Sequence, residues 1–495
     1  MKNHRKIHHN PRLPSLINME RFPPTVNDVV KLTQLGDLLN ESIKIVTDEW
    51  SNERYDASQN PGVDNARFLP SKRLHEAQRT ILAISGALNE MVIEPFNRLQ
   101  EFAAQFWESR ALGVTVERRI PDILQEAGND GMSVHDLAER TGIEPRKLSR
   151  IMRCLCSNHI YRQTETDKFA NNRITAPLVG NEEFRAYIMI FHMDVYSASE
   201  RFPKFLLGPK GASYDVAETA LQEALGTPKS RWDWLSERVS PDQITNDGVG
   251  YSGVADPKNW SHLKPGPDGL IKRPELDNFG LAMVGGGKVS GAALPFDYPW
   301  EELPNGATVV DVGGGVGGFD LQLLTLYPHF NCVVQDRAEV IRQAEESFWP
   351  QNGQQFVQSG AVTLQSHDFF QSNPIKNADI YWYRAIFHDW SDDYCVQILV
   401  ALKDALSHTS RVLICDQVMN TTHGSGEMDN APSPLPANYG YYSRYHHQRD
   451  MSLMGTINGI ERTPSEFRAL VEKAGLRLTR IFETRSIYSI VEVQK

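Results

Sequence analysis

Apolar residues recur with helical spacing through the first half of the 495-residue chain. One set predicts a helix that begins near residue 32, and its members are Leu32, Leu35, Leu39, Ile43, Val46 and Trp50. A second set lies in "PFNRLQEFAAQFWESRALG" and places Phe96, Leu99, Phe102 and Phe106 on one side of another helix. Stripes of this kind are typical of helices that bury one face.

The stretch from residue 132 to 172 has the pattern of two helices followed by a hairpin. Ser133 and Asp136 resemble a capping box, Gly142 breaks the first helix, and Pro145 suits the first turn of the second. The second helix directs Leu148, Ile151, Met152 and Leu155 inward, and a polar hairpin around 164–167 completes a winged helix-turn-helix. The same helix carries Arg146, Lys147, Arg150 and Arg153, so a DNA-binding regulator is one interpretation.

From about residue 291 apolar runs alternate with helical runs. Four runs, "ATVVDV", "NCVVQD", "DIYWYR" and "RVLICDQV", predict strands in right-handed parallel β-α-β units. The last two, "LRLTRIFET" and "SIYSIVEV", are too close for a crossover helix and are expected to form an antiparallel hairpin. The expected fold class is α/β, a doubly wound sheet whose last strand is reversed, preceded by a mainly helical half.

Charge and cysteine content restrict the function classes. The chain has 62 acidic and 51 basic residues, a net charge of −11, which argues against general binding to nucleic acid or anionic membranes. The five cysteines have no zinc-site spacing. The basic N-terminus lacks the apolar core of a secretory signal, and the apolar runs are too short for a membrane span. We expect a cytoplasmic protein without a nucleic-acid or membrane partner.

Three segments are expected along the chain. Residues 1–60 form an extension with one helix, residues 61–285 a helical winged-helix domain, and residues 290–495 a cofactor domain. The region 241–274 is rich in glycine and proline and is expected to be a surface insertion within the second segment.

A G-x-G-x-x-G loop at residues 313–318 follows the first strand of the cofactor domain. Such loops bind NAD, FAD and S-adenosylmethionine (SAM) alike. Asp311, two residues before the loop, would repel a pyrophosphate but attract an ammonium group. Asp336 ends the next strand and is placed to accept ribose hydroxyls, and Asp368 follows a further apolar run and could face an adenine amino group. The three acids favour SAM.

The stretch "YWYRAIFHDWSDDYCVQIL" places His388 at the carboxyl end of a strand, the edge where ligands of such sheets bind. A neutral imidazole can take a proton from a hydroxyl as its oxygen attacks. Asp416, at the end of the next strand, and Glu461, before the following helix, are candidates to orient the ring.

The same stretch has two alternative interpretations. His388 with Asp389, Asp392 and Asp393 could bind a metal, but residues 392 and 393 point away from residue 388 on a helix. Ser391 as a hydrolase nucleophile lacks the G-x-S-x-G elbow.

These stretches resemble the metal-independent, SAM-dependent O-methyltransferases of the caffeate and flavonoid type, specifically the fungal secondary-metabolite branch. The resemblance runs from about residue 90 to the end and is strongest in "VVDVGGGVGG", "FHDWSDD" and "NGIERTPSEF". It implies a Rossmann-like methyltransferase sheet, a winged-helix dimerisation domain and a homodimer. It also implies methylation of a phenol or enol hydroxyl of an aromatic or polyketide-type metabolite.

The resemblance assigns roles residue by residue. The cofactor residues would be Asp311, Gly313, Gly315, Asp336, Asp368, Phe369 and Arg384. The catalytic residues would be His388, as base, flanked by Asp416 and Glu461. The acceptor residues would be Phe191, His192, Met193, Met454 and Asn458. No metal is implied.

The sequence departs from the family pattern in two places near the expected site. Asp416 replaces the glutamate of many relatives, which shortens the reach to the imidazole. Residues 283–291, "MVGGGKVSG", are glycine-rich where the family has a helix, and the roles of Lys288 and of glycines 285–287 are open. Some fungal members of this scaffold direct pericyclic or dehydrative reactions with the cofactor bound, so a SAM-bound pericyclase is the alternative.

Overall fold

The computed structural model describes residues 25–52, 69–241 and 264–495. The rest of the expected 1–60 extension and most of the expected 241–274 insertion lie outside these ranges. Within the described ranges, no helix combines the length and the apolar character needed to cross a bilayer.

Helices dominate the N-terminal half. They are α1 (Val26–Asn52), α2 (Lys72–Val92), α3 (Pro95–Ala104), α4 (Phe106–Glu117), α5 (Ile120–Ala127), α6 (Val134–Thr141), α7 (Pro145–Ser157), α8 (Glu182–Ile190), α9 (Asp194–Leu206), α10 (Ala220–Leu225), α11 (Arg231–Leu235) and α12 (Pro274–Ser290). The strands are β1 (Met132–Ser133), β2 (Arg162–Glu165), β3 (Lys168–Ala170), β4 (Arg238–Val239) and β5 (Ile271–Lys272). Short 3-10 turns cover Gly128–Asp130 and Ala176–Leu178.

The winged helix predicted from the sequence is present. Ser133 caps α6 by accepting a hydrogen bond from the Asp136 N–H, and Gly142 ends the helix with φ +71°. Pro145 begins α7, whose apolar face is buried against α5, α6 and the wing. Strand β3 pairs antiparallel with both β1 and β2, so the wing closes the same core.

The two amphipathic stripes form helices, but much of their apolar surface is exposed. Helix α1 packs on α2, so Leu35 and Val46 are buried, while Trp50 in the last turn of the same stripe is 58% exposed. On α3, Leu99 and Phe102 are 70% and 61% exposed. Helical spacing therefore located these helices without showing which faces the monomer covers.

The C-terminal half is built on one seven-stranded sheet. Its strands are β6 (Thr308–Val312), β7 (Asn331–Asp336), β8 (Val362–Ser366), β9 (Ile380–Arg384), β10 (Arg411–Asp416), β11 (Arg477–Glu483) and β12 (Ser489–Gln494). Its helices are α13 (Leu294–Asp297), α14 (Gly318–Leu326), α15 (Ala338–Gln343), α16 (Trp349–Asn352), α17 (Gln354–Ser359), α18 (Asp392–Lys403), α19 (Arg444–Ile457) and α20 (Pro464–Lys473). A π-helical segment (Ala344–Phe348) and 3-10 turns (Trp300–Glu302, Phe387–Asp389 and Gly440–Ser443) complete it.

The strand order is β11-β12-β10-β9-β6-β7-β8. The five strands from β10 to β8 are parallel, and β12 runs antiparallel to both of its neighbours. The predicted hairpin and the reversed last strand are thus confirmed, with the reversed strand inside the sheet. Strand β8 corresponds to the further apolar run expected before Asp368. It is not among the four runs predicted as parallel strands, and its residues are only partly buried at the sheet edge.

Apolar layers cover both faces of the sheet. Along β9, Tyr381 and Tyr383 belong to one buried cluster, whereas Ile380 and Trp382 belong to the other. Successive side chains of a strand point to opposite faces, so a strand buried on both sides appears as a continuous apolar run. Polar residues lie at the carboxyl ends of these strands, such as Asp336, Arg384 and Asp416.

The glycine-rich run at 283–291 is mostly helical, because residues up to Ser290 continue α12. A Cβ at Gly285 would lie 2.3 Å from the Glu183 carbonyl oxygen of α8, and one at Gly286 would lie 2.7 Å from the Tyr187 ring. The glycines thus let α12 and α8 approach closely, and Lys288 pairs with Glu183. The expected departure from the family's helix is therefore not found.

Candidate active site

The loop after β6 has a backbone conformation that favours glycine. Gly313, Gly315 and Gly317 have φ of +75°, +62° and +89°. A Cβ at Gly313 would lie 2.6 Å from Ile386 Cδ1, whereas one at Gly315 would meet nothing within 4 Å. The loop therefore packs against Ile386 at Gly313 but has free space beside Gly315. This open side suits close approach of a ligand to the backbone.

Asp311 lies beneath this loop at the end of β6. Its side chain is buried, and its Oδ1 atom has no hydrogen-bond partner among the described residues. Burial raises its pKa well above the usual value, the charge of Asp320 adds to the rise, and Arg384 opposes it. A buried carboxyl oxygen without a partner fits a ligand that brings a donor, as an ammonium group does.

The other proposed cofactor residues end the neighbouring strands. Asp336 accepts hydrogen bonds from the N–H groups of Gly315 (2.9 Å) and Arg337 (2.7 Å), and burial raises its pKa. The ring of Phe369 lies 3.9 Å from the Cβ position of Gly313. Asp368 is exposed and accepts from the Phe370 N–H in a turn.

Arg384, at the end of β9, lies between the glycine loop and α12. Its Nη1 atom is 2.9 Å from the Cβ position of Gly291, and its guanidinium carbon is 5.8 Å from the centre of the Phe319 ring. The structure thus gathers Asp311, Asp336, Phe369 and Arg384 around one loop.

His388 is buried in the 3-10 turn that follows β9. Its Nδ1 atom lies 3.0 Å from Glu461 Oε1, and its backbone N–H donates to Asp416 Oδ2 at 3.0 Å. On the other side of the ring, Nε2 lies 3.5 Å from Asp389 Oδ1. Glu461 is therefore the acid that orients the imidazole through Nδ1, whereas Asp416 holds the turn through the backbone.

The segment that carries Glu461 is locked onto this turn. A Cβ at Gly459 would lie 2.3 Å from the His388 carbonyl oxygen, so only glycine permits this approach, and the Ile460 N–H donates to the same oxygen. Buried Arg462 donates to the carbonyls of Phe387 and Trp390. It also pairs with Asp392 at 2.9 Å. Asp392, one of the acids in the alternative metal-binding interpretation, therefore has an arginine as its partner. The described residues include no acid, histidine and cysteine grouping suited to a metal ion.

Three carboxylates determine the protonation of His388. Desolvation lowers the pKa of the imidazole, but the charges of Glu461, Asp389 and Asp416 outweigh it, and the pKa is raised to about 9. Burial raises the pKa of Asp416 to about 6 and also raises that of Asp389. The raised pKa favours the protonated imidazole in the free protein at neutral pH.

The residues assigned to the acceptor lie in two segments, 191–193 between α8 and α9 and 454–458 at the end of α19. His192 is buried against Gly113 of α4, and burial lowers its pKa to about 4. Met193 packs in the core of the helical half. The Asn458 amide donates to the carbonyls of Asp215 (2.7 Å) and Glu218 (3.0 Å).

Phe191 and Met454 are partly exposed, and Phe191 packs edge-on against Tyr187 at 5.8 Å. Of the assigned acceptor residues, these two therefore have side-chain surface that is accessible to a ligand.

Sequence reasoning missed a polar aromatic group beside Glu461. Arg449 Nη2 lies 3.9 Å from Glu461 Oε1, and the guanidinium carbon is 5.8 Å from the centre of the Tyr488 ring. The hydroxyls of Tyr187 and Tyr445 hydrogen-bond at 2.6 Å. The four-residue spacing of Tyr445 and Arg449 places both on one face of α19 and was the available signal.

Comparisons with known proteins agree with this arrangement. An O-methyltransferase dimerisation domain matches residues 100–179 and an O-methyltransferase domain matches residues 301–477. The O-methyltransferase cicE of Emericella nidulans is 56% identical over 96% of this chain and 91% of its own. The O-methyltransferase gedA of Aspergillus terreus is 50% identical over 96% of this chain and 98% of its own.

A solved structure described as a pericyclic reaction enzyme superposes with a TM-score of 0.62 over 84% of this chain and 93% of its own. Its identity is 21%, so this similarity shows the fold alone.

The similarity to the sequence relatives shows more than a shared fold. They cover almost the whole chain at about half identity, and they are O-methyltransferases. The protein is thus an enzyme that transfers a methyl group to oxygen, and SAM is its cofactor. The chain belongs to the O-methyltransferase family.

Proposed function

We propose that this enzyme methylates a phenol or enol hydroxyl of an aromatic or polyketide-type secondary metabolite, with His388 as the general base. The observation that carries the proposal is the 3.0 Å contact between His388 Nδ1 and Glu461 Oε1. A carboxylate at Nδ1 stabilises the neutral tautomer with its proton on Nδ1 and the lone pair on Nε2. Nε2 is therefore the atom that takes the proton of the acceptor hydroxyl.

The acids around the ring stabilise the product of that proton transfer. When Nε2 is protonated, the imidazolium charge lies beside Glu461 and 3.5 Å from Asp389. Asp416 acts indirectly, because its hydrogen bond to the backbone fixes the turn that carries the ring. A positioned base of this kind contributes roughly 10²–10⁴-fold to the rate.

We assign the cofactor to the glycine loop. Asp311 would hold its ammonium group, Asp336 its ribose hydroxyls, Asp368 and Phe369 its adenine, and Arg384 its methionine end; Gly313 and Gly315 give it access to the backbone. The unpartnered Oδ1 of Asp311 and the open side of the loop support this assignment. Bound SAM supplies a methyl group on a positively charged sulfur.

For the acceptor, we propose that Phe191 and Met454 contact it directly. His192, Met193 and Asn458 act indirectly, because their described contacts are with neighbouring protein groups. They hold in place the segments that surround the acceptor. The acceptor chemistry follows from the base, since an imidazole is suited to a hydroxyl whose proton leaves as its oxygen attacks.

The experiment incubates the protein with SAM that carries a deuterated methyl group and a panel of polyhydroxylated naphthalenes and anthraquinones. We expect a product that contains the labelled methyl on oxygen, together with an equal amount of S-adenosylhomocysteine. The pericyclase alternative predicts a rearranged product without label. Conversion of an acceptor without label transfer would contradict the proposal.

A further inference from the structure

Asp320 is a buried acid beside the cofactor loop to which neither the loop motif nor the family resemblance gives a role. It lies in the first turn of α14 with no exposed surface. No N–H or hydroxyl group of another described residue donates to either of its carboxyl oxygens. An ionised carboxylate left in this way would be strongly unfavourable.

The two acids are each other's partner. The carboxyl groups of Asp311 and Asp320 lie within hydrogen-bonding reach of one another. Two carboxylates have acceptors only, so such a contact needs one proton between them. Burial raises the pKa of both groups, as expected for a pair that retains a proton. Their mutual hydrogen bond raises the pKa of Asp311 and lowers that of Asp320, so the shared proton lies towards Asp311 in the free protein.

The other charged or titratable groups around the pair are one arginine, one further acid and two thiols. Arg384 of β9 lowers the pKa of both acids, and Asp336 of β7 adds further negative charge near Asp311. The thiol of Cys332 on β7 is a weak hydrogen-bond partner of Asp320 and lowers the pKa of that acid, and burial keeps the thiol neutral because its own pKa is raised well above the usual value. The thiol of Cys415 on β10 is neutral for the same reason.

We propose that Asp320 is a positioning residue of the cofactor site, which carries the proton of the pair in the cofactor-bound state and donates it as a hydrogen bond to an ionised Asp311. The inference rests on the proposed placement of the cofactor ammonium at Asp311. In the free enzyme the two carboxyls share the proton. When the ammonium group arrives, the proton resides on Asp320 and the negative charge on Asp311, so no proton enters or leaves.

This arrangement explains why two acids are buried where one charge is needed. The pair carries a single negative charge, which matches the single positive charge of the ammonium group. The neutral acid orients Asp311 so that its other oxygen faces the loop. Asparagine at position 320 can replace the donor, because its amide offers an N–H at nearly the same place.

Calorimetry with S-adenosylhomocysteine tests the proposal on the full chain. We expect Asp320→Asn to keep the wild-type affinity within about threefold, and Asp320→Ala to weaken it about 10- to 100-fold, the usual effect of losing a charge-assisted hydrogen bond. Adenosine, which lacks the ammonium group, is the matched ligand and should bind all three proteins alike. Equal weakening of adenosine by Asp320→Ala, or equal loss in both variants, would overturn the proposal.

Infrared spectroscopy gives a second readout that does not need the alanine variant to fold. The wild type should show the carbonyl stretch of a neutral carboxylic acid that is absent from Asp320→Asn, because Asp311 is then ionised beside an amide. A difference spectrum without this band would overturn the proposal. Neither readout involves methyl transfer, so an enzyme that binds S-adenosylhomocysteine but methylates nothing would contradict the proposed function and leave this inference standing.

Discussion

At the residue scale, the proton on His388 controls the chemistry. Desolvation alone would keep this imidazole neutral, but three nearby carboxylates raise its pKa to about 9. A general base must be neutral before it can accept a proton. The site therefore combines a strong base with a small neutral fraction at pH 7, and alkaline pH increases that fraction.

The pH dependence of kcat/KM for the acceptor, measured at saturating SAM, tests this balance. Because the pKa is raised, the neutral form and the rate should increase with pH towards about 9. Glu461→Gln removes the carboxylate charge that contributes most to the rise and should move this limb to lower pH. The variant should also lower the plateau by about 10- to 100-fold, since the tautomer is no longer fixed. A limb at the same pH in both proteins would contradict the assignment of Glu461.

The sequence could identify His388 and Glu461 because each follows a recognisable element end. It could not show that Asp416 contacts the backbone of residue 388 rather than its ring, because that depends on a 3-10 turn and on one methylene of reach. The position of Asp389 beside Nε2 depends on the same turn.

At the element scale, glycines decide how closely helices and loops approach the site. Gly285 and Gly287 lie two residues apart in α12, yet their surroundings differ. A Cβ at Gly285 would lie 2.3 Å from the Glu183 carbonyl oxygen, whereas one at Gly287 would meet nothing within 4 Å. Helix propensity favours alanine equally at both positions.

This pair of positions gives a matched stability test by thermal or denaturant unfolding. Gly287→Ala should leave the free energy of unfolding unchanged or raise it by about 0.5–1 kcal/mol. Gly285→Ala should lower it by about 1–3 kcal/mol, because α8 and α12 must separate. Equal effects at both positions would show that the two helices are not packed this closely.

The doubly wound sheet and its final hairpin could be predicted because burial on both faces gives long apolar runs. The helical continuation of α12 through three glycines could not, because glycine disfavours a helix and only the contact with α8 explains its presence.

At the scale of the whole molecule, the apolar surface of α3 and the start of α4 needs a partner. Phe96, Leu99, Phe102 and Trp107 are between 48% and 70% exposed and lie within one stretch of the chain. The matched dimerisation domain begins at residue 100, inside this stretch. We infer that a second copy of the chain covers it.

The double variant Leu99→Glu with Phe102→Glu should dissociate the dimer, because it places charge in the contact. Light scattering with size-exclusion chromatography should give a dimer mass for the wild type and a monomer mass for the variant. Leu207→Glu is the control, since Leu207 is 91% exposed but lies elsewhere. A monomeric wild type, or a dimeric double variant, would contradict this interface.

Long-range packing was the least predictable feature at this scale. Helices α1 and α2 pack with Leu435 and Tyr439 near the other end of the chain, and Arg79 lies 4.0 Å from the centre of the Tyr439 ring. Residues so far apart in sequence share no local pattern, so the sequence could predict the helix within the 1–60 segment but not its packing.

The role of His388 as the general base is tested by comparing His388→Gln with the wild type on an acceptor that the wild type methylates. Glutamine removes the base, while the glycine loop and Asp311 are unchanged. We expect turnover to fall by about 10²–10⁴-fold, with S-adenosylhomocysteine affinity by calorimetry close to that of the wild type. His408→Gln, at an exposed histidine, should behave like the wild type. Unchanged turnover in His388→Gln would contradict the assignment of this imidazole as the base that takes the proton of the substrate hydroxyl.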